Sequence, residues 1–88
     1  MARKFTFTLR GDPAVKLEQI KAAAARSSVF FSGDLRGGRF QGGMSALGLG
    51  VTGTYRIVGD KITVTVDEKP SIYSWEEIGA KLRGFVEG

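Results

Sequence analysis

Between Thr54 and Val66 large apolar side chains recur on every second residue, Tyr55 and Ile57, then Ile62, Val64 and Val66, with Val58 off the pattern and Gly59-Asp60 between the two runs. A period of two puts one face of a strand against a core and the other in water. A short glycine-containing break between two such runs reads as the turn of a β-hairpin. A lone hairpin is marginal in water, so the remaining chain has to supply strands beside it and helices over it.

The flanking segments have the patterns to do so. Lys4–Leu9 alternates, with Phe5, Phe7 and Leu9 on one face and Thr6 and Thr8 on the other. Gly11-Asp12-Pro13 ends that strand. Asp12 suits a helix N-cap, and Pro13 suits the first helical position, where its missing N–H has no intrahelical partner. A helix is predicted over Pro13–Arg26, with Ala14, Leu17, Ile20 and Ala24 at helical spacing. Ala22–Ala25 adds helix propensity with little bulk, so the helix can pack closely on a sheet. Ser27-Ser28 breaks the pattern. Val29-Phe30-Phe31 reads as a short strand closed by Gly33-Asp34, pairing across the turn Asp34–Gly38 with another around Arg39–Gln41. Leu47, Leu49 and Val51 lead into the hairpin, and Gly53 marks a bulge or bend.

Asp67–Pro70 reads as a polar loop. Ser74-Trp75-Glu76-Glu77 has the form of a capping box, opening a last helix over Ser74–Val86 whose Trp75, Ile78, Leu82 and Phe85 share one face. The expected fold is α+β: a twisted antiparallel sheet of four to five strands with two helices packed on one face. With 88 residues, the span 1–88 is expected to be a single domain.

Composition narrows the chemistry. The chain has no Cys and no His. That removes thiolate nucleophiles, Ser–His pairs and imidazole metal ligands. The carboxylate pairs have bland explanations: Asp67 and Glu68 sit in the polar loop, and Glu76 and Glu77 sit at a helix start, where negative charge is favoured. We therefore expect no enzyme, no catalytic residues, no cofactor and no metal. The N-terminus lacks the apolar run of a signal peptide, and no stretch is long and apolar enough for a spanning helix. A cytoplasmic location is expected. The net charge of +4 comes from basic residues scattered along the chain in runs no longer than two, the pattern of a solvated surface more than of a nucleic-acid footprint.

Eight of the 13 glycines lie between Gly33 and Gly53. Because glycine weakens regular elements, the cluster calls for a reason: turns and close backbone crossings in a twisted sheet, or a loop that approaches a ligand. The string Gly48-Leu49-Gly50-Val51-Thr52-Gly53 matches GxGxxG. It is followed by a strand-like segment rather than a helix, so a dinucleotide site is rejected. Phe40 and Met44 stand among these glycines as core or as an apolar surface. Arg36 and Arg39 flank Gly37-Gly38 beside Phe40, a set able to hold a phosphate or stack on a base. Trp75 opens an amphipathic helix, where it can close the core or anchor at a lipid or polymer surface. The candidate ligand or partner surface is thus Arg36, Arg39, Phe40, Met44 and Trp75.

From Gly38 onward the chain resembles the polyhydroxyalkanoic-acid-system small proteins of bacteria. The matching stretches are Gly38-Arg39-Phe40-Gln41-Gly42, Gly50-Val51-Thr52-Gly53-Thr54 and Asp60-Lys61-Ile62-Thr63-Val64, followed by Pro70 and a closing helix with Glu77, Lys81 and Leu82. The resemblance covers about half the chain. It implies a strand-rich segment, a hairpin and a C-terminal helix, together with association with polyester storage granules; it implies no active site. The expected function is a non-enzymatic binding or interaction module, its partner a small hydrophobic ligand, a granule surface or a protein. The alternative is a small basic nucleic-acid-binding domain. The short strands near Gly33–Gly43 offer an edge for pairing with a second copy in a homodimer.

Overall fold

The computed structural model describes residues 2–43 and 50–87; Met44, Leu47 and Leu49 lie outside them. Seven elements follow one another: β1 (Arg3–Thr8), α1 (Pro13–Arg26), β2 (Val29–Gly33), β3 (Gly37–Gly42), β4 (Val51–Val58), β5 (Lys61–Glu68) and α2 (Trp75–Glu87). The strands form one antiparallel sheet in the order β1-β5-β4-β3-β2. The first and second strands of the chain are therefore its two edges. This is the α+β architecture that the patterning predicts, at the upper end of its strand count.

The hairpin forms as read. Ile57 faces Ile62 and Val58 faces Lys61 across the Gly59-Asp60 turn. Gly59 has φ +61°, and glycine at the first central position is what a type II′ hairpin turn requires. The register of β4 on β5 shifts between Thr52 and Gly53, where the sequence places a bulge.

Successive strands are antiparallel across the sheet, so β1 and β2 run in the same direction. Helix α1 leaves the end of one edge strand and enters the start of the other, and so passes over the sheet diagonally. Its 14 residues give about 21 Å of helix, close to the roughly 19 Å of four inter-strand gaps. Asp12 caps it, accepting from the Ala14 amide at 3.0 Å. Leu17, Ile20 and Ala24 are buried, whereas Ala14 is exposed, so the apolar stripe begins one turn later than its spacing implies.

The helix ends sharply. The Ser27 and Ser28 amides donate to Ala24 and Ala25, and Ser28 sits at φ +60°. A non-glycine residue in the left-handed region costs about 1–2 kcal/mol. Ser28→Gly is therefore expected to raise stability by about 1 kcal/mol, measured as a higher denaturant midpoint with unchanged slope.

α2 opens on the capping box: the Ser74 amide donates to Glu77 Oε1 at 3.1 Å, and the Glu77 amide donates to Ser74 Oγ at 3.2 Å. Its buried residues are Ile78, Leu82 and Val86, with Trp75 and Phe85 half-buried at the margins. The core-facing stripe is thus rotated toward Val86 relative to the expected Trp75–Ile78–Leu82–Phe85 face. β5 runs on to Glu68, so Asp67 and Glu68 end a strand rather than lie in a loop.

Candidate functional site: an apolar groove under the last helix

The inner face of the sheet accounts for half of the glycine cluster, Gly33, Gly38, Gly42 and Gly53. Register places Phe31, Phe40, Gly53 and Val66 in one cross-strand row, and Gly33, Gly38, Tyr55 and Val64 in the next. Aromatic residues stand beside positions that carry no side chain. The Phe31 and Phe40 rings stack at 5.1 Å between centroids, and Phe31 lies 5.8 Å from Tyr55. A Cβ on Gly53 would meet Phe40 Cζ at 2.5 Å as well as the Thr65 carbonyl. Gly53 is therefore the space into which the Phe40 ring fits. The Tyr55 hydroxyl, in turn, donates to the Asp34 carbonyl at 2.7 Å, and burial raises its pKa.

That bond helps to hold the β2–β3 turn. Asp34 Oδ1 accepts from the Arg36 amide at 2.8 Å and the Gly37 amide at 3.3 Å. These two bonds, Arg36 first, hold the Asp34 carboxyl below its usual range. Because the folded pKa is depressed, the turn's stabilisation is full above the ordinary carboxylate pKa and is lost as pH falls below about 4. The Arg36 and Gly37 amide chemical shifts should titrate together in that acid range; in Asp34→Asn they should stay flat.

A groove of about 490 Å³ opens between α2 and the sheet. That volume falls within the roughly 300–1,000 Å³ of small-molecule sites. Six parts of the chain converge on it at one end of the sheet. Ser27 closes α1, Val29 starts β2, Phe40 comes from β3 and Val51 starts β4. Pro70, Ile72 and Tyr73 join β5 to α2, and Ile78, Leu82 and Phe85 come from α2 itself. Gly43 and Gly84 add no side chain to the lining.

Ile72 is 66% exposed although large and apolar. Among the described residues, Lys81 is the one charged side chain on the lining, its Nζ 5.0 Å from the Tyr73 ring centre. Lys69 steadies the same loop, its Nζ donating to the Tyr73 carbonyl at 2.7 Å and standing 5.6 Å from the Trp75 ring.

The residues singled out from sequence do not form one surface. Phe40 is 3% exposed, a core residue whose ring also walls the groove. Arg39 points to the opposite face, as its neighbour in a strand must. Arg36 is exposed in the β2–β3 turn, 3.6 Å from Asp34 Oδ2. Trp75 packs 6.3 Å from Phe5 of β1, with the Arg3 guanidinium 5.9 Å away, at the other edge of the sheet. Met44 lies outside the described residues. Sequence reasoning did not single out Ile72 and Tyr73; two large apolar residues in a short polar connection were the available signal.

The outer face of the sheet carries Lys4, Thr6 and Thr8 on β1, Lys61, Thr63 and Thr65 on β5, and Thr54 and Arg56 on β4. Phe30 of β2 is its exposed aromatic, at 58%. Among the described residues no cluster of three or more metal-ligating side chains occurs, and no helix is long and apolar enough to cross a membrane. Comparison of the chain with protein-family models, with curated proteins and with solved structures found no match.

Proposed function

We propose that this chain is a cytoplasmic, non-enzymatic binding module whose ligand site is the groove between α2 and the sheet. The observation that carries this reading is an apolar concavity of about 490 Å³ in an 88-residue domain. Closing it would bury Ile72, Val51 and Phe85 more fully, and a small domain gains from every apolar surface it can cover. A groove left among the described residues is thus a departure from tightest packing, of the kind that binding sites show. The resemblance to the polyhydroxyalkanoic-acid-system small proteins supports a role at polyester storage granules in bacteria. Tagged protein in granule-rich cells should sediment with the granules; a wholly soluble distribution would count against that role. Native mass spectrometry of the purified protein should reveal a co-purified apolar molecule.

A second reading, a small basic nucleic-acid-binding domain, is favoured by the uncovered outer face with Lys4, Arg39, Arg56 and Lys61. Single-strand binders combine such charge with aromatic platforms, and here the exposed aromatic is Phe30 at the sheet edge. A gel shift with single-stranded and duplex oligonucleotides at low salt tests it: a salt-sensitive shift supports it, and no shift ends it.

A further inference from the structure

We infer that the groove takes one anionic amphiphile, with its acyl chain along the apolar lining and its carboxylate at the Lys81 ammonium. The inference rests on the groove being the binding site and adds the class of ligand. Its basis is how unevenly charge is distributed on the lining. Among the described residues, the walls are aliphatic and aromatic side chains from four elements and a loop, and Lys81 is the one charged group among them. The ammonium stands 5.0 Å from the centre of the Tyr73 ring. A cation is attracted to the face of an aromatic ring, so the ammonium is placed to pair with an anion arriving beside the same wall.

Among the described residues, the other polar side chains on the lining are those of Ser27 and Tyr73. One cation and two hydroxyls suit a head group with a single charge. They are too few for a sugar or a nucleotide, whose many polar atoms would be left unpaired against an apolar wall. The net charge of +4 favours the approach of an anion. Lys81 is itself exposed, so its pairing with a head group is partly screened, and most of the affinity must come from the chain.

The test is calorimetric titration of the full chain with hexanoate, octanoate and decanoate, each below the concentration at which it aggregates, alongside 1-octanol and 1-decanol as uncharged counterparts. Two added methylenes should tighten binding about tenfold. The carboxylate should bind about three- to fivefold more tightly than the alcohol of equal length, a difference that shrinks at high salt. In Lys81→Gln that difference should vanish while the affinity for the alcohol is unchanged. Equal binding of acid and alcohol to the wild type, or equal weakening of both by Lys81→Gln, would overturn the head-group assignment and leave the groove as an apolar site. Absence of binding by every compound would remove the groove reading as well. Sedimentation of the protein with phosphatidylglycerol vesicles, without binding of the monomeric acids, would overturn the inference in favour of a lipid surface.

Discussion

Phe40→Ala is expected to destabilise the domain by about 3–5 kcal/mol, the range for removing a buried phenyl ring. The ring is 3% exposed, stacks on Phe31 and lies over Gly53. Its loss removes a contact that links β2, β3 and β4 on the inner face. Collapse cannot make good the loss, because the neighbouring inner positions Gly38 and Gly42 have no side chains to move into the gap. A domain of this size has total stability of about 4–13 kcal/mol, so the variant should sit near the edge of folding at 37 °C. Thermal unfolding followed by circular dichroism should show a midpoint lower by 10 °C or more, from roughly 4–8 °C per kcal/mol. Were Phe40 mainly a surface residue for a partner, the midpoint would scarcely move.

Gly53→Val should have an effect of similar size by the opposite route. Any side chain at this position starts from a Cβ that meets the Thr65 carbonyl of the paired strand and lies 2.5 Å from Phe40 Cζ. The Phe40 ring could swing away only by leaving Phe31. The carbonyl could move only by opening the β4–β5 ladder at its register shift. Overpacking of this kind costs about 1–3 kcal/mol, and more where backbone has to shift. We expect about 3 kcal/mol, with faster amide exchange at Val66 and Phe40. Combining Gly53→Val with Phe40→Ala should cost less than the sum of the two, because the first change no longer meets the ring.

These two residues also show how far the sequence can be read. The hairpin was legible because Tyr55, Ile57, Ile62, Val64 and Val66 record the inner face at every second position. The capping box and the Asp12-Pro13 start were legible because their chemistry is local. Phe40 was not, and for a physical reason: its same-face neighbours in β3 are Gly38 and Gly42, so the alternation that would show its face has no other side chains. The glycine cluster was legible as an anomaly and as a choice between close packing and a ligand loop. Which glycine accommodates which ring depends on register between strands far apart in sequence. For Gly53, that register selects close packing.

The groove was illegible for a related reason. It is a concavity lined by residues far apart in sequence, from Ser27 to Phe85, brought together by the diagonal path of α1 and the return of α2. Arg36, Arg39 and Trp75 are residue types suited to binding, yet the sheet sends them to a turn, to the outer face and to the far edge. Lys81, a single lysine on a helix with charges of both signs, carries no local pattern that marks it.

The central claim, that the groove is where this domain binds its ligand, is tested most directly by an amide correlation spectrum of the labelled protein titrated with 1-octanol. Concentration-dependent, saturable shifts are predicted at Val29, Val51, Ile72, Tyr73 and Leu82, with Thr54, Arg56 and Thr63 on the outer face unmoved. Shifts confined to the outer face, or none at concentrations approaching the solubility of the alcohol, would contradict it.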